Sequence, residues 1–277
     1  LMTPILMGCQ PKVVGLRQQL QKVNEWFVLL DYQSEKLHLK AKDLSFADMG
    51  ILDADSHPDL QLLKESALRI AYISVGEAES YRSYWPEIKD SGWMFEENPN
   101  WEENYYVDVR SEHWHNLLLN QVIPEIVNKG FNGLFLDTLD TVEVLESRDG
   151  EKFQGSKDAM IKLVKSIHRK FPDMMLISNN GFYLLEEIAP YLSALLSEDI
   201  HSMVDFENDS YIAVSREDYE YKVEMLQRLA KEHGLPVFVL DYLSNKNKKA
   251  ISKIQAKNQK LGFKAYVAEK NLSDIYV

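Results

Sequence analysis

The sequence contains a single cysteine, Cys9, which excludes an intramolecular disulfide framework and any multi-cysteine zinc or iron–sulfur centre. No apolar run approaches the length of a membrane-spanning helix, and no internal repeat, low-complexity tract or Pro/Gly-rich linker interrupts the chain. A Gly-rich phosphate loop, the His-Ile-Gly-His and Lys-Met-Ser-Lys-Ser signatures of tRNA synthetases and a Gly-x-Ser-x-Gly elbow are also missing. We therefore expect one main domain with no nucleotide, no ATP or serine-hydrolase chemistry and no cofactor.

Positive charge is in short supply, with 31 Lys and Arg against 43 Asp and Glu and a net charge of −12. Such a surface repels phosphate backbones, so nucleic acid is not an expected partner. It suits a cationic ligand such as a deacetylated amino-sugar polymer, but acidity also serves solubility alone. The 277 residues, 45% of them hydrophobic, are enough for one α/β barrel with a large core, which we expect to be a monomer.

The N-terminal segment, residues 1–20, contains Leu6-Met7-Gly8-Cys9, which resembles the lipobox of bacterial lipoproteins. The basic region and the full apolar region of a secretion signal are not visible before Cys9. We interpret this segment as a candidate remnant of a lipoprotein signal and residues 21–277 as the catalytic domain. An extracellular or lipid-anchored location stays open beside a cytoplasmic one, for which the motif would be fortuitous.

Short runs rich in apolar and β-branched residues alternate with helical stretches along most of the chain. The helical pattern, with apolar residues three and four apart, is clearest at 156–170, 218–233 and 248–260. The predicted strands are 26–30, 49–52, 70–75, 134–136, 174–178, 194–197, 236–240 and 264–268. Eight such alternations predict the α/β class and a closed parallel sheet, the (β/α)8 TIM barrel.

A polar residue follows each predicted strand. The eight are Asp31, Asp53, Glu77, Asp137, Asn179, Glu198, Asp241 and Glu269. An Asp after a strand can simply cap the next helix, but this explanation is weaker for all eight positions together. Because the C-terminal ends of barrel strands meet at one rim, where catalytic groups lie, we expect these side chains around one opening.

The connection from about residue 80 to 114 is the longest, and it holds a large share of the aromatic residues. They are Tyr81, Tyr84, Trp85, Trp93, Phe95, Trp101, Tyr105, Tyr106 and Trp114. Long connections of this kind are often functional, and aromatic faces can stack on sugar rings. Because large rings seldom stay exposed, we expect about half of these to pack the loop against the barrel. Tyr81, Trp85 and Trp101 are candidate substrate contacts.

Paired carboxylates at a barrel rim suit the hydrolysis of a glycosidic bond. The reaction needs one carboxylic acid to protonate the leaving oxygen and one carboxylate to stabilise or capture the oxocarbenium-like centre. Asp137, after an apolar strand and a turn before Asp140, and Glu198 both fit this role. The residues alone leave the choice among seven rim carboxylates open.

Four stretches resemble the endo-α-1,4-polygalactosaminidases, glycoside hydrolase family 114, whose members were once labelled as cysteinyl-tRNA-synthetase-related. They are 71–79 with Tyr81-Arg82, then 130–137, 178–181 and 197–199, and the resemblance runs from about Trp26 to the C-terminus. It implies a TIM barrel cleaving an α-linked galactosamine-type polysaccharide in an endo manner, with the Asp that ends the fourth strand and the Glu that ends the sixth as catalytic pair. These are Asp137 and Glu198.

By analogy with retaining α-glycosidases, Asp137 is assigned as nucleophile and Glu198 as acid/base, although the sequence does not order the two roles. The predicted contacts to ammonium or hydroxyl groups of the sugars are Asp31, Asp53, Glu77 and Asp241. Asn179, Asp140 and Arg82 are further predicted substrate-binding residues. Arg82 is expected to fix Glu77. The first strand departs from common family residues, which leaves the exact sugar open.

Two other classes of function compete with this interpretation. One is a barrel that binds carbohydrate without cleaving it, because a fold and a pocket alone do not prove activity. The other is a metal-dependent polysaccharide hydrolase or deacetylase using His57, His113, His115 or His201. His113 and His115 lack the i, i+4 spacing that places two ligands on one helix face, so we expect no metal site.

Overall fold

A parallel eight-stranded sheet forms the centre of the computed structural model, which describes residues 10–33 and 41–276. The strands are β1 (Trp26–Leu29), β2 (Met49–Asp53), β3 (Leu68–Ser74), β4 (Gly133–Asp137), β5 (Met175–Asn179), β6 (Ala194–Glu198), β7 (Val237–Tyr242) and β8 (Lys264–Ala268). They pair in chain order, each parallel to the next. Cys9 and its lipobox-like context lie outside the described residues, so the lipoprotein interpretation stays a prediction.

The first and last strands complete the ring through side chains and loop hydrogen bonds. The Trp26 ring lies 5.6 Å from that of Tyr266, centroid to centroid. Just past β1, the amides of Leu30 and Asp31 donate to the carbonyl of Leu272 at 2.9 and 3.2 Å. The result is the predicted (β/α)8 TIM barrel, with a seam between β8 and β1.

Helices cover the outside of the barrel. They are α1 (Gln10–Gln21), α2 (Trp85–Ile88), α3 (Glu112–Leu117), α4 (Ile123–Asn128), α5 (Thr141–Arg148), α6 (Ser156–Lys170), α7 (Leu185–Ile188), α8 (Arg216–His233) and α9 (Lys248–Leu261). A π-helical turn at Leu118–Val122 joins α3 to α4, and 3-10 turns lie at Ala41–Phe46, Leu60–Leu62 and Ala189–Tyr191. The three helices predicted from periodicity are confirmed within two residues at each end.

Local sequence explains where the long helices pack and end. In α6 the residues Met160, Leu163 and Ile167 are fully buried, which matches the three- and four-residue spacing of an amphipathic helix. Gly234 and Gly262 follow α8 and α9 with φ of 65° and 79°, a left-handed conformation that glycine adopts without a Cβ penalty.

Helix α1 closes the N-terminal end of the barrel. The Arg17 guanidinium donates to the carbonyls of Leu192 and His233 at 3.0 and 2.6 Å, just before β6 and β7. Leu20 is fully buried in the core. The predicted boundary at residue 20 therefore falls near the end of a helix that is packed on the barrel.

Two small antiparallel sheets stand on the C-terminal end of the barrel. The first, within the β3 excursion (residues 77–114), joins Glu77–Glu79, Asn104–Val107 and Met94–Glu97 in that order. The second, the β6 hairpin, pairs Ser202–Asp205 with Ser210–Ala213. These insertions enlarge the end at which the predicted carboxylates lie.

Buried aromatic rings hold the β3 excursion on the barrel. Trp114 is fully buried and its indole N–H donates to the Val75 carbonyl at 2.8 Å. Tyr84 and Trp93 pack on it with ring centroids 6.0 and 6.1 Å away. The expectation that part of this aromatic cluster packs the loop against the barrel is confirmed.

Candidate active site

Asp137 and Glu198 end β4 and β6, and the residue that ends the strand between them, Asn179, connects their side chains. The Asn179 Nδ2 donates to Asp137 Oδ1 at 2.7 Å and to Glu198 Oε1 at 3.0 Å. Because both oxygens bond to one nitrogen, they are no farther apart than the sum of those distances, about 5.7 Å. The two carboxylates thus face each other at one end of the barrel.

The surroundings of Asp137 and Glu198 raise the pKa of both carboxyl groups. Burial, with the charges of Asp137 and Asp199, raises the pKa of Glu198 to about 8 despite hydrogen bonds from Asn179 and Tyr242. Glu198 is therefore mostly protonated at neutral pH. Burial and then the charge of Asp140 raise the pKa of Asp137.

A third carboxylate, Glu77, lies beside the pair and is almost completely buried. Its Oε1 accepts hydrogen bonds from Asn98 Nδ2 at 3.0 Å and from Thr141 Oγ1 at 3.1 Å. Burial and the charges of Asp137 and Asp140 raise its pKa to about 7, against those two hydrogen bonds. Glu77 thus belongs to the same electrostatic cluster and connects it to the β3 excursion.

The chain turns sharply just after each strand that carries a residue of the Asp137–Asn179–Glu198 group. Thr138, Asn180 and Asp199 have φ of 61°, 46° and 59°, a left-handed conformation that costs energy for residues other than glycine. Side-chain hydrogen bonds hold two of these turns. Thr138 Oγ1 accepts from the Gly76 amide at 2.8 Å, and Asn180 Oδ1 accepts from the Glu198 amide at 3.0 Å.

Other predicted site residues form a buried ion-pair cluster at the base of the β3 excursion. Arg82 donates from Nη2 to Asp53 at 2.6 Å and from Nε to Glu79 at 2.7 Å, and the Tyr81 hydroxyl donates to Glu79 at 2.5 Å. The expectation that Arg82 fixes Glu77 is wrong, since its carboxylate partners are Asp53, Asp55 and Glu79. Each carboxylate offsets the cost of burying the guanidinium.

Asp241 and Asp31 are not brought into contact with the central pair. Asp241 has no exposed surface, and its Oδ1 accepts the amides of Ile200, His201 and Ser202 at 3.1, 2.6 and 3.0 Å. It fixes the loop after β6, and this placement gives no support to the predicted substrate contact. Asp31 is exposed and accepts hydrogen bonds from the Gln33 side chain.

Of the other predicted contacts, Trp85 is half-buried and its ring packs on Tyr105 at 4.7 Å, whereas Asp140 and Trp101 are exposed at this end of the barrel. Glu269, after β8, accepts a hydrogen bond from the Asn245 amide at 3.0 Å. Rim position alone therefore does not decide whether a side chain is free to meet a ligand.

Sequence reasoning missed two tyrosines and a lysine around the pair. Tyr72 and Tyr242 hydrogen-bond to Asp137 and Glu198. Lys222 Nζ donates to the carbonyls of Glu198 and Asp199, at 3.0 Å each. A tyrosine inside an apolar strand looks like a core residue, and Lys222 lies on α8 far along the chain, so no pattern singled them out.

Three of the four histidines of the metal-dependent alternative contact other residues. His57 packs on Phe131, His115 hydrogen-bonds the Val109 carbonyl at 2.7 Å, and His201 packs on Tyr219. Within residues 10–33 and 41–276, no group of three or more His, Cys, Asp or Glu side chains is placed to hold a metal ion. Across the same residues, no helix has the length and apolar character needed to cross a bilayer.

A (β/α)8 barrel with facing carboxylates at the C-terminal ends of its strands defines a glycoside-hydrolase type of site. Comparison with sequence profiles identifies the family within this class. The profile of glycoside hydrolase family GH114 matches residues 16–277. The chain belongs to glycoside hydrolase family GH114.

Curated relatives cover a similar stretch but carry no described function. An uncharacterized protein of Methanocaldococcus jannaschii is 28% identical over 233 residues, which cover 77% of this chain and 65% of the relative. Another, from Thermotoga maritima, is 26% identical over 64% of this chain and 55% of its own length. The chain thus spans less than two thirds of these relatives.

Two solved structures share the fold. The glycoside hydrolase domain of PelA from Pseudomonas aeruginosa superimposes with a TM-score of 0.77 at 23% identity, covering 92% of this chain and 100% of that domain. Ega3 of Aspergillus fumigatus, solved in complex with galactosamine, gives 0.67 at 16% identity, covering 90% of this chain and 92% of that one. At these identities the likeness shows the fold alone.

Proposed function

We propose that this chain is a retaining, endo-acting glycoside hydrolase of α-linked galactosamine-type polysaccharide, with Asp137 as nucleophile and Glu198 as acid/base. The observation that carries the proposal is the Asn179 bridge, which limits the bonded oxygens to about 5.7 Å apart. Retaining enzymes hold their carboxyl groups about 5–5.5 Å apart, whereas inverting enzymes need roughly 6.5–9.5 Å to admit a water.

The raised pKa of Glu198 supports the order of the roles. Glu198, with a pKa of about 8, carries a proton that it can give to the leaving glycosidic oxygen. Burial and then the charge of Asp140 raise the pKa of Asp137. Hydrogen bonds from Asn179 and Tyr72 oppose that rise by stabilising the ionised form. As the bond between the anomeric carbon and the leaving oxygen breaks, an Asp137 oxygen forms a bond to that carbon. Glu198, now ionised, takes a proton from a water whose oxygen bonds to the anomeric carbon. The bond between that carbon and Asp137 breaks, which releases the sugar and restores both carboxyl groups.

The charge around the pair supports a cationic sugar. Asp140 and Glu143 are exposed beside Asp137. Burial and then the charge of Glu143 raise the pKa of Asp140, while the charge of Lys222 lowers it, so Asp140 lies close to Glu143. An ammonium group placed there would relieve repulsion among these carboxylates. The galactosamine bound to Ega3 and the net charge of −12 point in the same direction.

Mass spectrometry of the products from a panel of α- and β-linked galactosamine, N-acetylgalactosamine and glucosamine oligomers tests the proposal. We expect the masses to show internal cleavage of the α-linked galactosamine oligomers. Proton NMR of the anomeric signal should show retention of configuration in the first product formed. Binding without any product would favour the non-catalytic barrel. Activity abolished by a chelator and restored by a metal ion would favour the metal-dependent alternative.

A further inference from the structure

Two exposed aromatic rings from different insertions at the C-terminal end of the barrel contact each other. Trp101 lies in the β3 excursion and Phe206 at the tip of the β6 hairpin, with ring centroids 5.5 Å apart and planes at 80°. In the sheet, β3 and β6 are separated by β4 and β5. The contact therefore links the two insertions that flank the strands of Asp137 and Asn179.

These rings are unlike the other contacting aromatics of the excursion, because the contact leaves most of their surface free. Trp101 and Phe206 are 52% and 53% exposed, whereas Tyr84 and Trp114 are buried. Two planes near a right angle form an apolar corner that can meet a sugar ring on one face and one side. Aromatic faces are suited to such stacking.

Hydrogen bonds and short stretches of chain connect the corner to the candidate site. The Trp101 amide donates to the Asn98 carbonyl at 3.2 Å, and the Asn98 side chain donates to Glu77 at 3.0 Å. On the other side, the β6 hairpin begins at Ser202, four residues after Glu198. The two rings are therefore carried by segments that are anchored beside the carboxylate pair, at the same end of the barrel.

Acidic side chains flank both rings. Glu102 follows Trp101 and Glu207 follows Phe206, and both glutamates are exposed. Apolar ring faces beside carboxylates match the two faces of an amino sugar, an apolar C–H surface and an ammonium group. They do not match an anionic ligand.

We propose that Trp101 and Phe206 form a distal subsite that stacks one further amino-sugar residue of the polymer, outside the residues joined by the scissile bond. This deepens the proposed function and rests on it for the identity of the ligand. The subsite makes binding depend on chain length.

Binding to a Glu198→Gln background, in which the polymer is not consumed, tests the subsite by calorimetry with α-1,4-galactosamine oligosaccharides from the disaccharide to the octasaccharide. Trp101→Ala and Phe206→Ala should each weaken binding of the long oligomers by about 5- to 150-fold, the equivalent of one lost stacking contact. The disaccharide should lose less. Phe206→Tyr should retain binding, and Glu207→Gln should weaken binding of the amino oligomers more than that of their N-acetylated forms.

Ile212→Ala is the matched control, because Ile212 is 46% exposed on the same hairpin and is not one of the two rings. The proposal is overturned by equal losses at every chain length, by no loss in either ring variant, or by the same loss in Ile212→Ala. If the wild-type protein cleaves the polymer while the ring variants bind it normally, the subsite is wrong and the hydrolase stands. If nothing is cleaved but the length-dependent loss persists, the subsite stands and the hydrolase is wrong.

Discussion

Replacing Asn179 by alanine should shift both limbs of the pH–activity profile to higher pH. Its Nδ2 donates to both catalytic candidates, at 2.7 Å to Asp137 and 3.0 Å to Glu198, and each bond stabilises an ionised carboxylate. Without the donor, both pKa values rise. A hydrogen bond to a charged group contributes about 1.5–3 kcal/mol, and about 1.36 kcal/mol equals one pKa unit, so each limb should shift by about 1–2 units.

The assay is kcat/KM against pH, whose limbs report the ionisations of the free enzyme. Activity falls on the acid side as Asp137 takes up a proton and on the alkaline side as Glu198 loses one, so both limbs should move to higher pH. Asn179→Asp keeps the shape of the side chain but adds a negative charge, and its shift should be larger. Asn132→Ala is the control. The Asn132 side chain accepts a hydrogen bond from the Arg69 backbone amide at the opposite end of β4, so its removal should leave the pH profile unchanged. Unchanged limbs in Asn179→Ala, in a variant that unfolds at a normal temperature, would refute the reasoning.

With an activated substrate, Glu198→Gln should form the covalent intermediate and stall, and azide should restore turnover with retained configuration; azide rescue of Asp137→Asn with retained product, and of Glu198→Gln with inverted product, would reverse the two roles. Gly76→Ala should lower the free energy of unfolding by about 1–3 kcal/mol, the usual cost of overpacking, because a Cβ there would lie 2.3 Å from the Thr138 carbonyl oxygen; urea denaturation showing wild-type stability would contradict this. Asp241→Asn, which weakens the acceptor of three loop amides, should destabilise the protein by about 1–3 kcal/mol in the same assay, and a gain in stability would count against the role of Asp241 in the loop.

The strand pattern was predictable because each barrel strand is buried on both sides and reads as a continuous apolar run. Asp137 and Glu198 stand out at the ends of such runs, and the structure places them within reach of one amide. The side-chain partners were not predictable in the same way. Arg82 follows Glu79 by three residues, but only the fold brings Asp53 beside it.

The sequence could not predict which of the strand-end carboxylates are buried by neighbouring loops. Asp137 and Asp241 both lie at the C-terminal ends of apolar strands, yet Asp137 faces Glu198 whereas Asp241 is fully buried between the loop after β6 and Asn258 of α9. The difference depends on the conformation of residues 200–202, which follow another strand. Likewise, Trp101 and Phe206 are far apart in sequence, and no residue spacing in either segment predicts their contact.

The three left-handed residues after β4, β5 and β6 have a consequence for how this barrel can change over evolutionary time. Thr138, Asn180 and Asp199 redirect the chain within one residue of the groups that face each other. Hydrogen bonds to neighbouring strands hold two of these turns, so the loop beyond them can lengthen, shorten or change sequence without transmitting a shift to the carboxylates. Selection can then change which polymer the loops bind, while the positions of Asp137 and Glu198 stay the same.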